Sequence, residues 1–235
     1  MGLFEKTMNN KNNSISVIIP CYNEYNRIVP IINQIKKVKT INEIIVVDDG
    51  SNISTKKILK NISGIKLITH PQNKGKTAAL KTGVSNTDSN IIAFVDSDLT
   101  NFKSHHLESL LNPVLIGDYE LILSEKENES LHSKMSGFSI AFTGERVLKK
   151  ELLDKHPEIF KNKGYLVEAS INKIFFEKHK VGKVFLKGVG QYPKIKKNGI
   201  KGLYGDIKML TTIVKFLKIK NFINQLKFAQ NLPNC

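Results

Sequence analysis

The sequence predicts an α/β domain in which a mostly parallel β-sheet is flanked by helices. Two observations lead to this fold class: short apolar runs rich in Val and Ile recur along the chain, and segments with apolar residues at helical spacing separate them. Alternation of this kind is typical of βαβ units, which place helices on both faces of a sheet. The runs are apolar throughout, as expected of strands that are buried on both faces.

Five strands are predicted in the first half of the chain, each a short apolar run that ends in polar or turn-forming residues. They lie at 14–20, 43–51, 65–70, 90–98 and 119–124. Helices are predicted between them from apolar spacing, and the proline in the first helix falls in its first turn, where proline is tolerated. These helices lie at 27–38, 54–62, 75–84 and about 104–115.

The second half of the chain is less regular. Its polar and apolar patterns predict a loop at 125–140, helices at 144–153 and from about Leu166, a strand at 181–189 and a turn at 196–202. A basic amphipathic helix is predicted from Asp206 to Ala229. Its apolar stripe is formed by Ile207, Leu210, Val214 and Leu217.

Composition limits the classes of protein to which the chain can belong. Of its 235 residues, 40% are hydrophobic, which excludes a mainly disordered chain and allows one large α/β domain. Lys and Arg number 36 against 21 Asp and Glu, and the net charge of +15 favours anionic partners such as nucleic acid, anionic lipid or phosphorylated small molecules. The alternative is that this charge only reflects a composition rich in Lys, Asn and Ile.

The termini and the cysteines predict a cytoplasmic protein. The polar N-terminal segment does not have the pattern of a signal peptide, and no stretch approaches the roughly 18 consecutive apolar residues of a membrane span. Cys21 and Cys235 form neither a disulfide framework nor a zinc-binding spacing, in agreement with a reducing compartment. Peripheral binding at the inner face of a membrane is an open alternative.

Polar clusters follow four of the predicted strands at the point where each strand ends. Their sequences are PCYNE, DDGS, HPQNKGK and DSD. Each cluster alone is compatible with an ordinary turn. Because ligands of open parallel sheets bind at the carboxyl ends of the strands, four such clusters predict one binding site at this edge of the sheet.

Asp96 and Asp98 are the candidates for metal binding. Two carboxylates at positions i and i+2 of a strand end can share one divalent cation, and Mg²⁺ or Mn²⁺ accepts such ligands together with substrate phosphates. The alternative is that both residues only form a turn. Asp48 and Asp49 end another strand, where they could accept hydrogen bonds from a base or instead belong to a turn or helix cap.

The remaining clusters supply groups suited to a nucleotide. Tyr22 could stack on a base, and Asn23 and Glu24 could bond the base or the ribose; alternatively, Tyr22 packs at the sheet rim and Asn23 caps a helix. Lys74 or Lys76 could reach a phosphate, since a helix N-terminus with a glycine and lysines is suited to anions. Two solvated lysines are the alternative interpretation.

Four stretches, VIIPCYNE, IIVVDDGS, HPQNKGKTAALKTG and IIAFVDSDL, together resemble glycosyltransferase family 2, whose members have the GT-A fold. This resemblance covers residues 14–125 closely. TGERVLKKELL, GYLVEASI and FLKGVGQYPK are more loosely similar to a small branch without membrane spans, which includes enzymes resembling glucosyl-3-phosphoglycerate synthases.

The resemblance implies a division of the chain into segments. These are a disordered lead at 1–13, a GT-A domain at 14–202 with a nucleotide-binding half at 14–125 and an acceptor half at 126–202, and a basic C-terminal helix at 203–235. It also implies a metal-dependent enzyme that moves a sugar from a nucleotide-diphosphate donor. UDP-sugar is favoured over GDP-sugar, and the implied cofactor is Mg²⁺ or Mn²⁺.

Roles for individual residues follow from the same resemblance. Asp98 would be the main metal ligand, with Asp96 beside it facing the ribose. Asp49 would contact the base with support from Asp48, and Lys74 would contact the nucleotide or its phosphates. The nucleotide pocket would be lined by Pro20, Tyr22, Asn23 and Glu24.

The looser resemblance implies further positions. Gly144, Glu145 and Arg146 would lie near the donor sugar or the acceptor. Glu168 would lie near the reacting sugar, where a carboxylate could act as a general base or hold sugar hydroxyls; alternatively, it is an exposed acid on a helix. Some relatives have a histidine metal ligand after the late strand, but this chain has GVGQYPK there. Gln191 could ligate through its amide oxygen, or water could take that position.

Two other classes of function are kept as alternatives. A sugar-phosphate nucleotidylyltransferase would be expected to carry a glycine-rich loop with an arginine after the first strand, where this chain has PCYNE. A basic peripheral membrane protein would use the same scaffold without catalysis and place helix 206–229 on an anionic surface. Nucleic acid is not expected, because no aromatic stacking platform is interleaved with the basic residues. The acceptor class stays open between a small phosphorylated molecule, a glycan and a lipid-linked compound, and so does the oligomeric state.

Overall fold

Eight strands pair into a mixed sheet that has helices on both faces. The computed structural model describes residues 13–128, 137–162, 164, 166–192 and 200–235. Within them the strands are β1 Ile15–Cys21, β2 Glu43–Asp48, β3 Lys66–Thr69, β4 Ile91–Phe94, β5 Leu99–Thr100, β6 Leu121–Asn128, β7 Arg146–Lys149 and β8 Val181–Gln191. The predicted lead at 1–13 lies almost entirely outside the described residues.

The strand order across the sheet is β3-β2-β1-β4-β7-β6-β8-β5. Strands β3, β2, β1 and β4 are parallel to one another, and β6 is parallel to β8. Strand β7 lies antiparallel between β4 and β6, and the short β5 pairs antiparallel with the end of β8. The parallel block brings the carboxyl ends of four strands to one edge, and the pairing of Leu99 with Gln191 brings the end of β8 to the same place.

Helices cover both faces of the sheet. They are α1 Ile28–Ile35, α2 Ile53–Lys60, α3 Lys76–Val84, α4 Ser104–Leu115, α5 Phe138–Ala141, α6 Lys150–Lys155, α7 Leu166–Phe175 and α8 Ile200–Gln230, with a 3₁₀ turn at Pro157–Phe160. Alternate residues of β1 enter different cores: Val17 and Ile19 pack with α1 and α4, and Ile18 packs with α3 and α7. Burial on both faces explains why β1 is almost entirely apolar, and its buried Ser16 is hydrogen-bonded to Thr87 and Ser89.

Residues 144–153, predicted as one helix, instead form strand β7 followed by helix α6. Strand β7 pairs with both β4 and β6, and Val147 and Leu148 are fully buried there. In a segment this short, apolar spacing does not separate a helix from a strand that leads into a helix. The two partner strands are distant in sequence, so tertiary pairing decides the conformation.

The segment 125–140, predicted as a loop, belongs partly to regular structure. Strand β6 continues to Asn128 because it pairs with β8 along its length. Helix α5 occupies Phe138–Ala141, and residues 129–136 lie outside the described part of the chain. The polar composition therefore did not predict the end of β6. Strand pairing uses the backbone N–H and C=O groups, which are present whatever the side chains are.

The C-terminal helix α8 begins earlier than predicted, so the last residues of the predicted turn at 196–202 are helical, and residues 196–199 lie outside the description. A break occurs at Lys218, where φ is 63° and ψ is 151°. Of the predicted apolar stripe, Leu217 is buried against α7 and Val214 is partly buried, but Leu210 is exposed, and Ile213 is buried although it was not predicted. Across the ranges that the structure describes, no helix has both the length and the apolar character needed to cross a bilayer.

Candidate active site

Two carboxylates meet where β4 ends. Asp96 and Asp98 lie just beyond the last residue of β4, and Ser97 between them donates a hydrogen bond of 2.9 Å to the carbonyl of Pro20 in β1. Gln191 ends β8, and its Nε2 donates to Asp98 Oδ1 at 3.1 Å and to Asp96 Oδ2 at 3.4 Å. Both acids therefore direct an oxygen toward one point, as two ligands of one cation would.

A lysine joins this pair to a third acid. Lys76 begins α3, and its Nζ lies 2.7 Å from Asp96 Oδ1 and 2.8 Å from Glu168 Oε1. Glu168 lies in the first turn of α7 and is only 5% exposed, which excludes the alternative of an exposed helix acid. Its other oxygen, Oε2, is buried without a hydrogen-bond partner among the described residues. Burying a carboxylate oxygen without a hydrogen bond costs free energy, unless a ligand or water donates to it.

Burial and charge together set the protonation of this group. Burial raises the pKa of Asp96 to about 6, with help from the negative charges of Glu145 and Asp98 and against the ammonium of Lys76. Burial acts to lower the pKa of Lys76, but the carboxylates of Asp96 and Glu168 outweigh it and hold this pKa above the usual lysine value. Lys76 is therefore a permanent positive charge among the acids.

Asp96 rests against the backbone of Gly144. A Cβ at position 144 would lie 2.2 Å from Asp96 Oδ2, so only glycine permits this approach. The next residue, Glu145, is fully buried, and its Oε2 accepts from Lys126 Nζ at 2.9 Å and from Thr143 Oγ1 at 2.8 Å. Burial acts to raise the pKa of Glu145, but Lys126 and these hydrogen bonds hold it at about 2. Glu145 therefore supports the backbone beneath Asp96 from inside the protein.

Arg146, which was predicted near the donor, is fully buried. Its guanidinium donates to the carbonyl of Thr143 at 2.9 Å, to the carbonyl of Ala141 at 2.7 Å and to Asn172 Oδ1 at 2.7 Å. Burial lowers the pKa of Arg146 to about 10, against the effect of neighbouring carboxylates. These contacts hold β7 against α5 and α7, and they use donors that a bound ligand would need. The structure thus assigns Arg146 to packing rather than to the surface of the cleft.

The segment after β1 carries the residues predicted to line a nucleotide pocket. Tyr22 is about half-exposed, and Pro20, two residues earlier, is partly buried. Glu24 is nearly buried and forms an ion pair with Arg27, whose guanidinium lies 5.1 Å from the centre of the Tyr192 ring. Tyr22 and Glu24 are therefore placed in opposite ways, one toward solvent and one into the protein.

Asn23 joins the ends of β1 and β2. Its backbone is left-handed, with φ of 59°, its Oδ1 accepts from the N–H of Asn52 at 2.8 Å, and its own N–H donates to Ser51 Oγ at 3.0 Å. The N–H of Ser51 in turn donates to Asp48 Oδ1 at 2.9 Å. The alternative of a helix cap is wrong for Asn23, because the N-cap of α1 is Arg27 and makes no side-chain cap bond. Asn23 and Asp48 shape the turns at this edge.

Asp49 faces into the protein and is 2% exposed. Its Oδ1 accepts from the N–H of Lys74 at 2.9 Å and lies 2.7 Å from His70 Nδ1, and its Oδ2 accepts from the N–H of Gly75 at 2.7 Å. The other ring nitrogen of His70 lies 2.9 Å from Thr82 Oγ1. These bonds hold the loop before α3, so the predicted contact of Asp49 with a base stays without support from its geometry.

The start of α3 differs from the predicted phosphate site. The N–H groups of Lys74 and Gly75, just before α3, are directed to Asp49, and the N–H of Thr77 in its first turn donates to the carbonyl of Gly164, so these three are not free to bind a phosphate. The side chain of Lys74 is exposed, whereas that of Lys76 lies among the acids. Cationic contacts for a phosphate at this edge would thus come from lysine side chains rather than from the helix terminus.

The metal-binding capacity of the site rests on few protein groups. Among the residues that the structure describes, no cluster of three or more His, Cys, Asp and Glu side chains could enclose a metal ion. A cation at Asp96 and Asp98 would therefore share its remaining positions with water and ligand phosphates, as is common for Mg²⁺. Gln191 points its NH₂ group at both acids, so oxygen ligation would require its amide to be turned over.

The sequence patterns did not predict that Lys76 bridges two acids. They indicated only that Lys74 or Lys76 could contact a phosphate. The two lysines flank Gly75, whose φ of 90° turns the chain between them. Which lysine enters the site depends on that turn and on the approach of α7, and neither is encoded in the local pattern.

Comparison with known proteins identifies the family of the chain. The sequence model of glycosyl transferase family 2 matches residues 16–169, from β1 to the first turns of α7. The chain belongs to glycosyl transferase family 2. The matched range contains Lys76, Asp96, Asp98 and Glu168. The resemblance stated from the sequence motifs is thus confirmed for the family.

Curated relatives are matched over only part of their own length. The 4,4'-diaponeurosporenoate glycosyltransferase of Staphylococcus aureus (strain bovine RF122 / ET3-1) is 29% identical over 141 residues, which are 58% of this chain and 38% of the relative. The enzyme of the same name from strain USA300 is 28% identical over 141 residues, with the same shares. The chain thus spans less than two fifths of the length of these relatives.

Solved structures with the same fold are also similar to this chain. Glucosyl-3-phosphoglycerate synthase from Mycobacterium tuberculosis, crystallised with Mn²⁺, UDP and glucosyl-3-phosphoglycerate, has a TM-score of 0.64 and 23% identity over 82% of this chain and 79% of the other. A crystal of the same enzyme with Mg²⁺ and UDP has a TM-score of 0.65 and 22% identity, with the same shares. At this identity the likeness shows the fold, and the predicted GT-A-type α/β fold is confirmed.

Proposed function

We propose that the protein transfers a sugar from a nucleotide-diphosphate donor, with UDP-sugar favoured, to an acceptor hydroxyl. The observation that carries the proposal is the convergence of Asp96, Asp98, Lys76 and Glu168 at the carboxyl edge of the parallel strands. Membership of glycosyl transferase family 2 supports sugar transfer over nucleotidylyl transfer and over a scaffold without catalysis. The structural neighbours from M. tuberculosis, which contain UDP or UDP-Glc, support the choice of base.

Mg²⁺ or Mn²⁺ fits the oxygen donors that the site presents. Asp98 would be its main ligand and Asp96 the second, because one oxygen of each already approaches the Gln191 amide. Gln191 would contribute its amide oxygen after turning over, or give way to water. When bound, the cation offsets the charge of the diphosphate as the nucleotide leaves. Neighbours that contain Mn²⁺ or Mg²⁺ with UDP support this ligand chemistry.

Glu168 and Lys76 would act on the sugar side of the site. Oε2 of Glu168, which has no hydrogen-bond partner among the described residues, would accept from a hydroxyl of the donor sugar or of the acceptor. A carboxylate in that position can hold the hydroxyl or take its proton as the hydroxyl attacks. Lys76 contacts the other oxygen of Glu168 at 2.8 Å and so fixes the direction in which Oε2 points. Tyr22 would stack on the base from its half-exposed position, and Lys74 would approach the phosphates from solvent.

Thermal-shift measurements test the donor and the metal together. UDP, GDP, CDP and their sugars are each added with Mn²⁺ and with EDTA. We expect a rise in Tm with one nucleotide, UDP being favoured, only when the metal is present. A ligand at 100 times its Kd that binds only the native state adds about 2.7 kcal/mol of stability. Equal shifts with Mn²⁺ and EDTA would contradict the metal role, and the absence of any shift would contradict nucleotide use.

The similar proteins suggest two classes of acceptor. Phosphoglyceric acid in the M. tuberculosis synthase supports a small phosphorylated acceptor, while the name of the S. aureus relatives refers to a diaponeurosporenoate.

The C-terminal helix favours action at an anionic membrane surface. Residues 207–235 contain no acid, and the residue Ile219 on this helix is 68% exposed. Its exposed lysines are Lys208, Lys215, Lys218, Lys220 and Lys227.

Liposome sedimentation tests the membrane surface. The double variant Lys215→Glu/Lys220→Glu is expected to weaken binding to vesicles of phosphatidylcholine with phosphatidylglycerol by roughly 30-fold or more, since each lysine near such a surface contributes about 1 kcal/mol. The matched control Lys57→Glu/Lys60→Glu changes two exposed lysines on α2 and should bind as the wild type does. An equal loss in both variants, or equal binding to vesicles without the anionic lipid, would contradict the proposal.

A further inference from the structure

The loop before α3 is held against the end of β2 by two consecutive residues. Asp49 receives the N–H groups of Lys74 and Gly75 at 2.9 Å and 2.7 Å, one on each carboxylate oxygen. Gly50, with φ of 74°, lets the loop pass, because a Cβ there would lie 2.5 Å from the carbonyl carbon of Gln72. The loop is therefore restrained both in direction by hydrogen bonds and in distance by close packing.

His70 completes this restraint. A carboxylate can only accept, so the 2.7 Å contact requires the proton of His70 to be on Nδ1. Thr82 Oγ1, at 2.9 Å from Nε2, holds the opposite side of the ring. Asp49 thus accepts three donors and is 2% exposed. Charge-assisted hydrogen bonds of this kind are shorter and stronger than neutral ones, so the loop is held firmly.

The restrained loop leads directly into Lys76. Its ammonium spans Asp96 at 2.7 Å and Glu168 at 2.8 Å, and both distances are near the optimum for such pairs. A loop displaced by about 1 Å would break at least one of them, which is enough to disturb catalytic geometry. We infer that Asp49, supported by His70, is a positioning residue that places Lys76 between the two acids. This inference rests on the proposed function, because it assigns Asp49 to the donor site through Lys76 rather than through the base.

A double-mutant cycle separates this role from base recognition. Asp49→Asn, Lys76→Met and the double variant are titrated with UDP in Mn²⁺ by calorimetry. We expect Asp49→Asn to weaken UDP about 10-fold or more, as loss of an outer-sphere partner typically does. In the Lys76→Met background the same change should weaken UDP by no more than about 2-fold, since the two residues act through one route. If the double variant instead binds UDP more weakly by the product of the two single-variant factors, the two residues act independently and the inference is overturned.

Uridine provides the second readout, measured as its ability to displace UDP. Asp49→Asn is expected to leave uridine affinity within about 2-fold of the wild type, because uridine lacks the phosphates. A loss for uridine as large as for UDP would show that Asp49 reads the base and would overturn the inference. Thr82→Val, which removes only the support of His70, should weaken UDP in the same direction but less, and it serves if Asp49→Asn does not fold.

Amide hydrogen exchange distinguishes failure of this inference from failure of the proposed function. Faster exchange of the Lys74 and Gly75 amides in Asp49→Asn is expected without any nucleotide, because both lose their charged acceptor. Unchanged exchange at both amides overturns the inference. If the wild type binds no nucleotide, the proposed donor site fails, and the role of Asp49 is then judged on exchange alone.

Discussion

Replacement of Asp98 by alanine is expected to lower the metal-dependent turnover of the donor by about 10³-fold or more while leaving the protein folded. Asp98 directs one of the two carboxylate oxygens that meet at the Gln191 amide. Loss of one of the proposed carboxylate ligands would remove several kcal/mol of charge stabilisation, and about 4 kcal/mol corresponds to 10³ in rate. The side chain is partly exposed at the end of a strand, so little stability depends on it.

The measurement is release of UDP from UDP-glucose at a series of Mn²⁺ concentrations, with kcat/KM compared between variants. Asp88→Ala is the matched control, because Asp88 is an exposed aspartate before the opposite end of β4. We expect wild-type kcat/KM and the same metal dependence in Asp88→Ala. Wild-type activity in Asp98→Ala at every metal concentration would refute the assignment of Asp98 as a ligand.

Replacement of Gly144 by alanine is expected to lower kcat/KM by about 100-fold. The new Cβ would lie 2.2 Å from Asp96 Oδ2, so the carboxylate must move by about 1 Å or more to relieve the overlap. That movement also breaks the contact of Asp96 with Lys76, which is 2.7 Å long. Stability should fall by about 1–3 kcal/mol, as is usual when a methyl group is forced into a packed site.

Gly117→Ala controls for the loss of stability in this experiment. Gly117 has φ of 86°, which strains an alanine by about 1–2 kcal/mol, but no atom lies within 4 Å of a Cβ placed there. We expect Gly117→Ala to lower Tm and to leave kcat/KM unchanged. If Gly144→Ala keeps wild-type kcat/KM, or if Gly117→Ala loses activity to the same extent, the position of Asp96 does not depend on Gly144.

The edge of the sheet that carries the site was predictable from the sequence. Runs such as ISVIIPC and EIIVVD are short and mostly apolar, and polar residues stand at or after the end of each one. Because parallel strands align their carboxyl ends, that pattern was enough to bring Pro20, Asp48 and Asp96 together without knowledge of the rest of the chain. The pairing of β1 with β2 and β4 has this arrangement.

The antiparallel strand β7 was not predictable in the same way. Its residues Arg146–Lys149 are two basic and two apolar residues followed by a helix, and no local pattern separates them from the helix itself. The strand forms because the gap between β4 and β6 supplies backbone partners on both sides. This pairing also explains why Arg146 became internal: it is buried and finds acceptors on α5 and α7.

The direction of each side chain depends on three-dimensional contacts that residue type does not encode. Lys74 and Lys76 have the same chemistry and nearly the same position in the chain, yet one is exposed and the other bridges Asp96 and Glu168. Similarly, Asp48 and Asp49 are adjacent, yet Asp48 accepts from the nearby N–H of Ser51, whereas Asp49 accepts from the N–H groups of Lys74 and Gly75 in the loop before α3. A carboxylate or an ammonium pairs with whichever partner the fold brings within about 3 Å.

By itself, the sequence determined the family, the alternation of strands and helices and the edge at which polar residues gather, because these follow from motifs and from apolar periodicity. The tertiary structure alone decided that Lys76 holds Asp96 and Glu168, that Asp49 restrains a loop and that Gly144 lies beneath Asp96. These contacts join residues from 20 to more than 90 positions apart. Their geometry depends on strand order and helix packing, which local chemistry does not specify.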